Sequence, residues 1–383
     1  MYLGDVEIRT ILSHILDRPS KPEDVFLIFL AEKTKPDLAE LVAALKEAHI
    51  RFMGGVFPGV IHRKLYREGA VILQVPACKG PMVITDFENV ATQCLSPSNH
   101  PGSEPRSPLA CPTVLVLVDG FAPNISHLLN GLFAALGSSA HYLGGGCGSA
   151  SLRQEPCLFS AEGVFENAAL ALTLDLGCSI GIQHGWRRLT GPLAATQTDR
   201  NVIRQLNGQK AFDVYRDIVE KDSRRKLSPD QFYAVAKEYP FGIVLDSDED
   251  LVRDPIAVGA EGELICIGDI PENAALNVLK GQKSALVAAA GRAAGYLCKK
   301  GPPYRQCLLF DCVSRSLYLD QAYSKELDMI HNSLRMSGPT LVAEGALSIG
   351  EIASTDQKEI DFFNKTTVVG GLYDLEKPTA PAS

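Results

Sequence analysis

The sequence is poor in several features that mark common function classes. None of its ten cysteines forms a Cys-x-x-Cys pair, and it has a single tryptophan. Zinc and iron–sulfur sites rely on such short spacing to bring two thiolates together from one turn, so neither centre is expected. Cys307 and Cys312 lie in one apolar run that reads as a strand, where they point to opposite faces and cannot chelate jointly. The cysteines read as reduced core residues. No uninterrupted apolar run reaches the roughly 18 residues of a membrane-spanning helix. The nearest candidates are broken by Asp175 and Arg292. Basic excess is also missing: 37 Lys and Arg stand against 45 Asp and Glu, for a net charge of -8. That balance argues against nucleic acid or anionic lipid as the main partner. The first residues carry no basic stretch leading into an apolar one, so no signal peptide is expected. These absences predict a soluble, cytoplasmic protein with neither a nucleic-acid nor a membrane partner.

What is present is an ordinary globular composition, 46% hydrophobic and 21% charged, on 383 residues. The most informative pattern is an arrangement met three times. A buried strand at 25–30 is followed by helical spacing over 37–49, a Gly54-Gly55 turn and a returning strand at 69–75. The second copy has a strand at 113–118, a helix over 124–136 closed by Gly137, a glycine turn at 144–148, and strands at 163–164 and 168–176. The third runs through a strand at 307–312, a helix at 324–336, a glycine turn at 345–350 and a strand at 366–370. Between the second and third copies lie strand and helix character over 198–214, a hairpin at 256–267 and a small-residue helix over 281–298.

The expected fold is α/β to α+β: two layered domains with mixed β-sheets and packed helices, built from repeated strand, helix, glycine turn and strand units. The division is an N-terminal segment 1–23, domains 24–236 and 237–375, a Pro/Ser-rich exposed loop at 95–112, and a disordered tail 376–383.

Candidate chemistry is sparse. In the run from Gly144 to Ser151, glycines permit close backbone approach, so Gly145, Gly146, Cys147, Gly148 and Ser149 read either as a ligand-contacting turn or as a turn set only by chain geometry. No lysine follows, as a Walker loop needs, and no apolar helix, as a Rossmann turn needs. Ser348, between Ala346 and Gly350, nearly matches a nucleophile elbow, but no histidine follows it. Asp246 to Asp250 opens like a calcium loop, yet Leu251 and Ala257 stand where glycine and glutamate are required. Glu344, Glu351 and Asn364 cluster near a glycine turn and are candidates to converge on a ligand. Arg315 follows the strand holding Asp311 and reads either as a fork for an acidic ligand or, with Glu351, as a structural ion pair or cap. His184, beside Trp186 at the end of an apolar strand, is the histidine placed best to serve as a haem axial ligand, although a lone histidine there also fits a turn. No catalytic constellation and no metal site emerge.

The ordered set of segments resembles the FIST family (F-box and intracellular signal transduction). The resemblance rests on Gly54-Gly55 through Gly59, Gly145 to Gly148, Gln183 to Trp186, Asn201 to Gly208 with Ala211, Tyr239 to Gly242, Asp311 to Arg315, Ser348 to Ile352, and Phe363 to Thr366. It covers about 24–236 for the family's N-terminal domain and about 237–373 for its C-terminal domain. It implies a sensory module of bacterial intracellular signalling, not an enzyme, that binds a small ligand. The regulated partner would be a separate protein, a histidine kinase or a cyclic-dinucleotide enzyme of the diguanylate cyclase or phosphodiesterase class. Nitric-oxide-sensing members of similar size bind haem, which implies haem as a possible cofactor and a gas-sensor alternative. An enzyme acting through the 144–151 turn or Ser348 is a second alternative. Where the family shows Ala-Gly-Asp after its Gly-Gly, this chain has Cys147, Gly148 and Ser149. Where it shows His-Asn, this chain has Phe363-Asn364.

Overall fold

The structure is a computed structural model. It describes residues 1–94, 112–245, 249–300, 303–338, 340–355 and 359–375. Most of the expected 95–112 loop, the 376–383 tail and Asp246 to Asp248 lie outside the described residues.

Three six-stranded sheets follow one plan. At the centre of each is a parallel pair, which cannot be closed by a tight turn and so requires a crossover helix. In unit 1 the pair is Asp24–Ala31 and Phe52–Phe57, joined through Leu38–Glu47. In unit 2 it is Thr113–Asp119 and His141–Cys147, joined through Ile125–Leu136. In unit 3 it is Gln306–Cys312 and Ala343–Ser348, joined through Val313–Leu319 and Tyr323–Leu334. An antiparallel strand flanks each first strand: Ala70–Pro76, Ala169–Leu174 and Thr367–Asp374. Outside these lie Tyr2–Leu3, Met82–Ile84 and Leu176–Gln183.

The opposite edge of each sheet is completed by a neighbouring unit. The hairpin Leu158–Ser160 and Gly163–Phe165 of unit 2 pairs with Phe52–Phe57 of unit 1. The hairpin Glu351–Ser354 and Ile360–Phe363 of unit 3 pairs with His141–Cys147 of unit 2. The hairpin Val60–His62 and Lys64–Tyr66 of unit 1 pairs with Ala343–Ser348 of unit 3. The exchange is cyclic, and it covers the sheet edges that would otherwise present unpaired backbone.

Between Leu176–Gln183 and the helix Lys283–Lys300, unit 3 carries an insert. Its eight-stranded sheet includes Arg187–Ala194, Val202–Leu206, Phe241–Ile243, Leu251–Val258, Leu264–Ile267 and Ala275–Lys280, with the helices Ala211–Ser223 and Phe232–Ala236. It has its own core, with Tyr215, Phe232 and Phe241 buried together. Residue 237 falls inside this insert, and strands from both sides of that position share three of the four sheets.

The three expected glycine turns are corrected by the structure. Gly54 and Gly55, Gly144 to Gly146, and Gly345 lie within the second strand of each parallel pair. The reason is steric and repeats in all three units. Gly54, Gly144 and Gly345 are the register partners of Ile28, Val116 and Leu309, and an added Cβ would overlap that partner's carbonyl oxygen. Within these segments only Gly148, with φ of 140°, and Gly350, with φ of 87°, occupy turn conformations that favour glycine.

Gly144→Ala is expected to lower unfolding stability by about 2–4 kcal/mol, because backbone rather than a flexible side chain must give way. Gly295→Ala in the helix Lys283–Lys300, where an added Cβ meets nothing within 4 Å, is expected to raise stability by about 0.5–1 kcal/mol. Urea midpoints of the two variants check the pair.

Candidate functional site

Cys147, at the end of the strand His141–Cys147, is buried, and its thiol is pushed well above the usual thiol range by desolvation. Gly146 donates its N–H to the Gly350 carbonyl and accepts from the Ile349 N–H, each at 2.8 Å, while Gly145 backs onto Phe310 and Ser348. Gly145 and Gly146 pack unit 2 against unit 3, while the Cys147 thiol lies against Gly55 of unit 1. The chain turns at Gly148, with φ of 140°, and Ser149 follows, half-buried, with its hydroxyl donating to Ser151 Oγ. Gly148 and Ser149 line a crevice shared with Lys35, Glu32 and Glu155. There the Ala150 N–H already donates to Glu32 Oε2 at 2.9 Å, so a protein carboxylate occupies the position an anion would take.

Arg315 and Glu351 are fully buried, away from that crevice. The Arg315 Nε and Nη2 donate to the Glu326 carboxylate at 2.8 and 2.7 Å. Its Nη1 donates to the carbonyls of His184 and Lys365, and Nη2 also donates to that of Leu286. All five N–H groups of the guanidinium are thereby used. Asp311, 3.8 Å from Arg315 Nε, accepts from Tyr323 and Thr367 hydroxyls. Glu351 accepts from Ser348 Oγ at 2.7 Å and from the Thr366 N–H, and burial holds its carboxyl well above the ordinary range. Ser348 is therefore an interior hydroxyl facing a buried carboxyl group, not an exposed elbow.

His184 follows the strand Leu176–Gln183. Its Nδ1 accepts the Trp186 N–H at 2.9 Å, which places the ring proton on Nε2, 3.6 Å from Glu249 Oε2. Axial ligation through Nε2 would need that proton moved to Nδ1, against the Trp186 N–H. The residues around His184 do not fit a haem ligand.

Asn364 stands apart. It lies 1% exposed on the wall of a cavity of about 240 Å³, with Gly350 beside it and Ala150 and Leu152 closing the side beyond Ser149. Its Nδ2 donates to the Phe363 carbonyl, while its Oδ1 has no partner among the described residues. Leaving a buried acceptor unpaired costs about 1–3 kcal/mol, which a donor from outside the chain would recover. Ile256, Ile267, Val313, Leu317 and Ile349 make the rest of the wall mostly apolar. Ser314, Tyr233 and Asp254 add polar groups. Asp254 accepts from Tyr233 at 3.3 Å and pairs with Lys365 Nζ at 3.1 Å. Lys365, also fully buried, donates to the Lys237 carbonyl and lies 5.1 Å from the Trp186 ring centroid. The cavity thus sits where unit 2, unit 3 and the insert meet. Asp254, Tyr233, Ser314 and Lys365 were not singled out from the sequence; the available signal was the adjacent Arg253 and Asp254 inside an otherwise apolar strand.

Three α/β units with a cyclic strand exchange and an inserted antiparallel unit make this a mixed α/β protein of repeated design. The FIST N domain matches residues 24–209 and the FIST C domain matches 211–354. The chain belongs to the FIST family, whose domains are sensory modules of signal transduction. No curated protein matches it. Among the described residues, no helix is long and apolar enough to cross a membrane.

Two outcomes test this interior. Arg315→Met leaves Glu326 and Asp311 buried without their countercharge, and is expected to cost about 3–5 kcal/mol in denaturant unfolding, with partial recovery in the Arg315→Met, Glu326→Leu double variant. Burial lowers the His184 pKa, so the unfolded chain binds a proton that the native one excludes. Stability should therefore fall as pH drops below about 6.5 and stay unaffected by this group above it. The difference between wild type and His184→Asn, measured from pH 7.5 to 5, should show that slope.

Proposed function

We propose that this FIST protein is a non-enzymatic sensor that binds a small molecule in the cavity beside Asn364 and passes the signal to a separate partner protein. The observation that carries the reading is the unpaired Asn364 Oδ1 on the wall of an otherwise apolar cavity. Apolar lining with a few convergent polar groups is the ordinary composition of a ligand site. Its volume lies below the roughly 300 Å³ at which drug-sized sites begin, which favours a compact metabolite with an apolar body and one hydrogen-bond donor.

The cavity's position supports a sensory role. Its walls come from the core units and from the insert, so an occupant favours the arrangement in which those walls close on it. A ligand shifts an equilibrium only by its differential affinity for the two states. The family resemblance favours a histidine kinase or a cyclic-dinucleotide enzyme as the partner. The arrangement at His184 does not favour the haem-based reading, and the interior placement of Ser348 does not favour an enzymatic one.

The test is a thermal-shift screen of small metabolites on the full chain. At least one compound is expected to raise the melting temperature saturably. Asn364→Leu should weaken that compound about tenfold or more with little change in the stability of the unliganded protein, since losing the bond to the Phe363 carbonyl is offset by removing an orphan acceptor. A compound whose binding survives Asn364→Leu unchanged, or a screen with no stabilising compound, contradicts the reading.

A further inference from the structure

A second, larger cavity of about 380 Å³ lies on the other side of Ile256 and Ile267, which line both. It is bounded by the start of the helix Ile125–Leu136, by Arg200 and Asn201 of the insert, and by the unit 3 strand Ile360–Phe363. At its wall is Arg253, 7% exposed, on the strand Leu251–Val258. Its Nε donates to the Asp269 carbonyl at 2.8 Å, and Nη1 donates to the carbonyls of Val252 and Phe362 at 3.0 and 3.1 Å. The two N–H groups of Nη2 have no protein acceptor among the described residues. Two of the five guanidinium N–H groups are thus left without a protein partner, and the carbonyls on the other side fix their orientation.

The other groups in the cavity extend the same chemistry. The 12-residue helix Ile125–Leu136 begins at the cavity wall with no side chain capping it; the His127 N–H donates to the Asn124 carbonyl, and the positive end of the helix dipole lies beside the space. Arg200 is exposed at the rim, its Nη1 donating to Asn124 Oδ1 at 3.3 Å. Two carboxyls also line the cavity. Asp269 accepts from Ser126 Oγ, and burial pushes the Asp361 carboxyl upward, towards its neutral form. Both carboxyls attract Arg253 electrostatically, but neither lies within ion-pair distance of it among the described residues. Burial lowers the Arg253 pKa to about 10, which leaves the group cationic at neutral pH.

We propose that this cavity is an oxyanion-binding site, taking a carboxylate or phosphate group on Arg253 Nη2, with Arg200 and the first turn of the helix Ile125–Leu136 as the remaining donors. It is separate from the Asn364 cavity and does not depend on what binds there. Because its donors come from unit 2 and from the insert, an occupying anion bridges them.

The experiment is calorimetric titration of the full chain with inorganic phosphate and, separately, with acetate, at constant ionic strength set by chloride. The expected result is saturable binding of at least one anion. Arg200→Glu, an exposed change that leaves the fold intact, should weaken it about tenfold or more, as the loss of a charge-assisted contact implies. Arg253→Lys, which keeps the charge but loses the directed Nη2, should abolish it. Should that variant fail to fold, the Arg200→Glu result decides alone. No saturable binding of either anion overturns the proposal, as does binding that Arg200→Glu leaves unchanged. Whichever anion is held identifies the group, phosphate or carboxylate, that the natural ligand presents.

Discussion

The structure depends on the cyclic exchange of hairpins among its three units. Each central parallel pair ends in a strand whose outer edge would be open, and each edge is taken by a hairpin from another unit. Exchange requires the second strands to pass close to their partners, and this is where the glycines enter. Gly54, Gly144 and Gly345 sit against the carbonyls of Ile28, Val116 and Leu309, where any side chain would force the pair apart. Gly146 extends the same closeness across units through its paired hydrogen bonds with residues 349 and 350. Removing one unit would uncover edges on two others, so the core stands or falls as one body.

On that core the buried charges do a narrower task. Arg315 reaches carbonyls from the segments on both sides of the insert, at His184 and Leu286, and from Lys365 near the end of unit 3. Lys365 in turn reaches the insert at Lys237 and Asp254. The geometry of such pairs is held by the cost of leaving any member unmatched. The insert is thereby fixed to unit 3, and the two cavities open along the seam between insert and core. A position on a seam is what a sensory site requires, because occupancy there bears directly on the relation between two bodies.

Much of the fold was legible in the sequence, for identifiable reasons. Continuous apolar runs such as 25–30, 113–118 and 307–312 have the length of buried strands, too short for a helix, and the helices between them carry clear 3.6-residue spacing. The glycine segments were recognised as special but read as turns, since consecutive glycines have low strand propensity and their reason is a register partner far away in the chain. The exchanged strands Val60–His62 and Leu158–Ser160 are too short to show a pattern, so the cyclic exchange was invisible. At the site, Asn364 was reached through the ordered motifs of the C-terminal half. Asp254 and Lys365 were not, because a buried ion pair between residues so far apart in sequence leaves no local trace.

The central claim is that the seam cavity beside Asn364 holds a small molecule. Native mass spectrometry of the intact chain, after incubation with a metabolite extract and removal of free solute, tests it most directly. One non-covalent adduct of low mass is expected, at one copy per chain and released on unfolding. A spectrum showing the bare chain alone, from protein whose fold is intact by circular dichroism, would contradict it.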